Sequence, residues 1–127
     1  MERTVVSAQS SFADVVGYSR AVRVGEHVFV AGTAPIMADR TDPPYDAYGQ
    51  AARCLEIIVE ALKEIGAGPE HVVRTRIYLT DADDIDEVGR AHGEVFKDTR
   101  PVTSALVVKG LLDSRWLVEI EAEAVLS

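Results

Sequence analysis

The stretch Leu117-Val118-Glu119-Ile120-Glu121-Ala122-Glu123-Ala124-Val125 alternates apolar with acidic side chains. In a β-strand successive side chains point to opposite faces, so Glu119, Glu121 and Glu123 share one face and Val118, Ile120, Ala122 and Ala124 the other. An unpaired buried carboxylate is very costly, so the acidic row must reach water, a partner subunit or a ligand. A partly buried glutamate in such a row can accept a proton from a bound water and so serve as a general base. Other reactive groups are sparse. His92 falls on the apolar stripe of a helix and reads as a core histidine or as the edge of a cleft. His27 and His71 stand apart from it, and no histidine spacing matches metal ligation, so no metal is expected. Cys54 lies in a helical apolar pattern and reads as an inert buried thiol. There is no Gly-rich phosphate loop, no Ser/His/Asp arrangement and no cysteine pair.

The elements that must position these groups follow from periodicity. Tyr18–Val24 and His27–Ala31 read as two antiparallel strands joined by Gly25-Glu26, with Gly32-Thr33-Ala34-Pro35 ending the second. Met37–Tyr45, with Asp39, Asp42, Pro43 and Pro44, is turn-rich and reads as a mobile loop. From Asp46 onward Ala47, Ala51, Cys54, Leu55, Ile58, Leu62 and Ile65 recur at helical spacing, and Gly66 supplies the stop. Val72–Leu79 alternates as a half-exposed strand, with Val73, Thr75, Ile77 and Leu79 inward. Asp84 reads as the N-cap of a second helix whose inward stripe is Ile85, Val88, His92, Val95 and Phe96. Thr103–Val108 and Leu117–Val125 close the chain as two strands joined by a turn around Asp113-Ser114.

Two amphipathic helices cover only one face of a mixed, mainly antiparallel sheet of five to six strands. The expectation is therefore an α+β two-layer fold formed by residues 1–127 as a single domain. The uncovered face would carry Arg74, Arg76, Tyr78 and the three carboxylates. That set suits pairing across subunits, with Glu121 and Glu123 meeting Arg74 or Arg76 of another copy; a solvated antiparallel sheet face is the alternative. The chain has 127 residues, 13 basic and 21 acidic, for a formal charge of -8. That sign opposes phosphate neutralisation, so nucleic acid is not an expected partner and ribonuclease activity is not expected. The start of the chain lacks a signal-peptide pattern and no apolar run approaches membrane-spanning length, so a cytoplasmic protein without membrane association is expected.

Several motifs stand in a familiar order: Gly17-Tyr18-Ser19, Val28-Phe29-Val30-Ala31-Gly32-Thr33-Ala34-Pro35, Arg74-Thr75-Arg76-Ile77-Tyr78-Leu79-Thr80-Asp81, Arg100-Pro101 and Val118-Glu119-Ile120-Glu121-Ala122. The chain resembles the RidA/YjgF family over nearly its whole length. The resemblance implies a chorismate-mutase-like homotrimer with helices outside a central barrel, a small-molecule cleft at each subunit boundary, no metal or organic cofactor, and hydrolysis of enamines or imines to a carbonyl compound and ammonia. It assigns the water-positioning glutamate to Glu119 and the cleft tyrosine to Tyr18. The family's carboxylate-gripping arginine falls on Thr103, its small hydroxylic residue before the strand glycine on Ala31, and an expected asparagine on Gly89.

A guanidinium clamps a carboxylate through two charge-assisted bonds, whereas a threonine hydroxyl offers one neutral bond. The departure at Thr103 therefore points to a substrate without the usual carboxylate, or one held elsewhere, or to a ligand-binding sensor without catalysis. Thr103, Ser104 and the backbone around Ala105 remain neutral binding groups. Arg100, next to Pro101, is either a replacement clamp or an exposed loop arginine, the second reading weighing more.

Overall fold

The computed structural model describes residues 2–127, apart from the side chain of Ser11. Six strands form one sheet: β1 (Arg3–Val6), β2 (Ala21–Val24), β3 (His27–Thr33), β4 (Val72–Leu79), β5 (Val102–Val107) and β6 (Val118–Val125). Their order across the sheet is β1-β2-β3-β6-β4-β5, and every pairing is antiparallel except β4 with β5. Three helices accompany them: α1 (Ser11–Val16), α2 (Ala47–Glu64) and α3 (Ile85–Phe96). The α+β two-layer expectation stands, with one helix and the first strand more than the periodicity signalled.

Helix α2 begins where Asp46 accepts the Gly49 N–H at 2.8 Å. It ends in a Schellman arrangement, the Ala67 N–H reaching the Leu62 carbonyl and the Gly66 N–H that of Lys63. Gly66 takes φ +87 there, which explains the glycine at that stop. The apolar stripe of α2, with Ala51, Cys54, Leu55, Ile58 and Leu62 at most 1 % exposed, packs on Val28, Val30, Val118, Ile120, Ala122 and Ala124 of the sheet. Each such large side chain, once fully buried, contributes roughly 1.5–3 kcal/mol. Helix α3 adds Val88, Ala91 and Phe96 to the same core. No helix among the described residues is long and apolar enough to cross a membrane.

Four local expectations are corrected. Asp84 makes no side-chain cap; Asp81 caps instead, accepting the Asp83 N–H at 2.9 Å, because a 3-10 turn (Ala82–Asp84) precedes α3. Ile85, assigned to the inward stripe, is 39 % exposed at that first turn. Val73 points outward and Val72 inward, because the β4–β6 register shifts between Val72 and Arg74. The last two strands are not neighbours: β4 lies between them, and α3 makes the crossover that lets β5 run parallel to β4. The turn-rich segment before α2 is tethered at several points: Arg53 Nε donates to the Ile36 carbonyl, Arg115 Nη1 to Asp42, and Gln50 Nε2 to the Pro44 carbonyl.

Candidate functional site

Glu119 stands on the sheet face that α2 and α3 leave open. Across from it in β4 the register pairs Tyr78 with Glu119, Arg76 with Glu121 and Arg74 with Glu123. Arg76 Nη1 reaches Glu121 at 3.2 Å and Glu123 at 3.3 Å, and the Tyr78 hydroxyl donates to Glu121 at 2.6 Å. Within the chain Glu121 and Glu123 thus pair with Arg76, because antiparallel register sets opposite charges side by side. The carboxylate of Glu121 holds the Tyr78 phenol above its ordinary pKa. Glu119 makes no hydrogen bond or ion pair among the described residues, so it is the free member of the acidic row.

What holds Glu119 is a β-bulge. Val30 pairs with Ala122 and Thr33 with Ile120, so Ala31 and Gly32 together oppose the single residue Glu121. Gly32 lies directly beneath the Glu119 carboxylate: a Cβ at Gly32 would stand 2.5 Å from Glu119 Oε2. On the other side of this glycine, Arg20 Nη1 donates to the Gly32 carbonyl at 3.2 Å and to the buried Thr33 hydroxyl at 3.0 Å. Burial raises the pKa of Glu119, Arg20 pulls it down and Glu121 pushes it up, with a net rise. A carboxyl lifted toward neutral pH over an open backbone position is suited to proton transfer.

The other residues assigned to the site fall into a second group. Thr103 shares the helix-facing side of the sheet with Thr75, its register partner. Thr75 is fully buried; its Oγ1 lies 2.8 Å from His92 Nε2 and 2.8 Å from Thr103 Oγ1. Thr103 also donates to the Pro101 carbonyl at 3.3 Å. One direction satisfies the chain: His92 Nε2–H donates to Thr75, Thr75 to Thr103, and Thr103 to the carbonyl. Burial lowers the His92 pKa, so its ring is neutral at pH 7, tilted against Phe96 with ring centres 4.7 Å apart. His92 is thus half-buried and hydrogen-bonded to Thr75 of the strand pair.

Ser104 is the register partner of Arg76 and faces the open side, while Ala105 pairs with Ile77 on the helix side. Within one chain, Glu119 and Thr103 are therefore on opposite faces, with β4 between their strands. Arg100 is exposed at φ 55, its N–H donating to the Phe96 carbonyl at 2.8 Å, and its side chain has no partner among the described residues. Tyr18 lies outside the strand expected to contain it: it follows Gly17, the C-cap of α1, with its N–H on the Ala13 carbonyl. No hydrogen bond among the described residues joins Tyr18 to Glu119.

Three residues that the sequence reading did not single out contribute. Arg20 carries no motif signal. Thr75 reads as an ordinary inward strand residue. Gln50, 2 % exposed, uses its amide to hold the Pro44 and Arg115 carbonyls at 3.0 Å and to accept the Leu117 N–H at 2.7 Å, fixing the chain that leads into β6. A glutamine within an apolar helical stripe was the available clue. No group of three or more His, Cys, Asp or Glu side chains among the described residues is arranged to hold a metal. Burial pushes the Cys54 thiol far above its ordinary pKa, in keeping with an inert role.

Residues 8–126 match the family model described as endoribonuclease L-PSP. An uncharacterized protein of Streptomyces coelicolor is 44% identical over 119 residues, covering 94% of this chain and 89% of its own. The mouse protein named 2-iminobutanoate/2-iminopropanoate deaminase is 31% identical over 130 residues, covering 97% of this chain and 91% of its own. Among solved structures, a Mycobacterium tuberculosis member of the YjgF/YER057c/UK114 family superimposes with a TM-score of 0.90 at 45% identity, covering 98% of this chain and 100% of that one. With its six-stranded mixed sheet and chorismate-mutase-like fold, the chain belongs to the RidA/YjgF family, also called endoribonuclease L-PSP.

Proposed function

We propose that this protein binds small metabolites at clefts formed between three copies of the chain and hydrolyses an enamine or imine to a carbonyl compound and ammonia. The observation that carries this reading is the unpartnered, half-buried Glu119 over Gly32. A water held there would lose a proton to the Glu119 carboxylate as its oxygen attacks the imine carbon. That proton passes to the nitrogen to give a carbinolamine, whose hydroxyl proton then moves to the amine, again by way of the carboxylate, as the C–N bond breaks, so that ammonia leaves and the carbonyl forms. No metal or organic cofactor enters this scheme. The mouse relative's name describes the same chemical class.

Association is supported by what one chain leaves uncovered. Phe29 and Val73 on the sheet, and Val102, Leu106 and Val107 on edge strand β5, are each at least 45 % exposed. Tyr18, Ser104 and Arg100 would reach a ligand only from cleft walls supplied in part by another copy. A sedimentation measurement giving three times the 13.8 kDa chain mass supports the proposal, and a stable monomer refutes it. Turnover is tested by ammonia release from freshly generated 2-aminoacrylate, with Glu119→Gln as control; equal rates for both proteins refute the role of Glu119.

A second reading, a ligand-binding sensor without catalysis, is favoured by Thr103. Its hydroxyl is committed to Thr75 and the Pro101 carbonyl and supplies no charge for a substrate carboxylate. This reading expects thermal stabilisation by a ligand without turnover.

A further inference from the structure

Between α2 and edge strand β1 lies a groove of about 910 Å³, bordered by the segment Ala34–Arg40. Its lining is mixed: Val6, Ile36, Met37 and Ile57 supply apolar surface, and polar side chains, Arg20 among them, supply the rest. The three arginines on this groove are not equivalent. Arg53 donates Nε to the Ile36 carbonyl and Nη1 to Glu56, and Arg40 is exposed with Nη2 on the Gln9 carbonyl. Arg20 is half-buried and uses only Nη1, on the Gly32 carbonyl and Thr33. Its Nε and Nη2 have no partner among the described residues. These two nitrogens form the side-on edge of the guanidinium, whose parallel N–H groups match the two oxygens of one carboxylate.

We infer that this groove is a binding site for a small organic monocarboxylate, with the Nε/Nη2 edge of Arg20 as its anchor and the side chains of Val6, Ile36, Met37 and Ile57 taking the hydrocarbon body. The site is separate from the cleft proposed above and does not depend on imine hydrolysis. Selectivity for one negative charge follows from the lining. Glu60 and Glu64 also border the groove, toward the end of α2 where Arg23 Nη1 donates to the Ile65 carbonyl, at the opposite end of β2 from Arg20. A dianion such as phosphate would find one bidentate cation and an acidic far wall. A ligand with a charged head and an apolar tail fits both ends. Because Arg20 and Glu119 meet the same glycine from two sides, occupancy would also be felt at Glu119.

The test uses the full-length protein, with sodium hexanoate, hexanamide and inorganic phosphate as probes and NMR shifts as the readout. Hexanoate should saturate on the order of 1 mM and shift the Arg20 Nε–H together with the Met37 and Ile57 methyls. Hexanamide should bind about tenfold or more weakly, since it lacks the charge-assisted pair. Arg20→Gln should weaken hexanoate by about tenfold to a hundredfold while leaving hexanamide unchanged. Equal binding of acid and amide, shifts clustered away from the groove, phosphate binding as tightly as hexanoate, or no saturable binding overturns the proposal. Should Arg20→Gln fail to fold, the acid and amide comparison on the unmodified chain decides the matter alone. None of these readouts involves turnover, so an inactive protein that still prefers hexanoate would refute the hydrolytic reading and leave this one standing.

Discussion

Replacing Gly32 by alanine tests the site with one methyl group. The backbone at Gly32 lies outside the positive-φ region, so alanine adopts it without strain. The new Cβ would stand 2.5 Å from Glu119 Oε2 and 3.3 Å from its Cδ, against about 3.4 Å for an ordinary contact, so the carboxylate must retreat by about 0.9 Å. The obstructing atom is the far end of a flexible side chain, so the move is a rotamer adjustment costing about 0.5–1.5 kcal/mol. That corresponds to a fall in Tm of roughly 2–6 °C for a chain of this size. A displacement near 1 Å in a reacting group costs about a hundredfold in rate. Gly32→Ala should therefore fold, lose a few degrees of stability, and release ammonia from 2-aminoacrylate about a hundredfold more slowly. Carboxyl NMR titration should also show the Glu119 pKa changed from that of the unmodified chain. A variant with full turnover, alongside a Glu119→Gln variant without it, would refute the idea that Glu119 works from its place over the bulge.

Other outcomes follow from the same geometry. Glu119 has a raised pKa in the fold, so between the ordinary glutamate value and that raised value the folded state holds the extra proton; stability falls as pH rises through this window, and Glu119→Gln should flatten that part of a Tm-against-pH curve. The proposed turnover should rise over the same window as the base ionises. Thr75→Val removes the hydroxyl joining His92 and Thr103 and leaves the half-buried His92 Nε2 without that partner, at about 1 kcal/mol or somewhat more, which thermal unfolding should register as a drop of a few degrees. Gln50→Leu breaks three hydrogen bonds at once and leaves the Pro44 and Arg115 carbonyls without that donor, so a loss of about 2–4 kcal/mol is expected in urea titration.

The sequence was legible wherever a period ran long enough to be counted. Helix α2 with its Gly66 stop, the buried part of α3 and the alternation of β6 all stand as read, because burial of one face dictates each pattern. Helix α1 was invisible: six residues give no second turn of periodicity, and its Phe12, Val15 and Val16 are exposed. The bulges at Ala31-Gly32 and at Val73 shift parity by one residue, a change of backbone register that composition does not signal. Asp84 and Asp81 have equal chemistry for capping, and only the intervening 3-10 turn selects between them. At the site, alternation placed Glu119 in a row of three carboxylates, and only the family resemblance set it apart from Glu121 and Glu123. Arg20 did not, since its value lies in which of its nitrogens are already spent, and that is decided by a glycine carbonyl twelve residues away.

The placement of β6 in the interior of the sheet carries a consequence for how the molecule comes into being. Of the six strands it is the last to leave the ribosome, yet both β3 and β4 need it as their hydrogen-bonding neighbour. Until it arrives, the growing polypeptide exposes two unsatisfied strand borders, the kind of surface on which nascent proteins misassociate. Trimming residues from Val118 onward would therefore not shorten the molecule but split its sheet in two, whereas an added tail beyond Ser127 leaves every strand pairing in place.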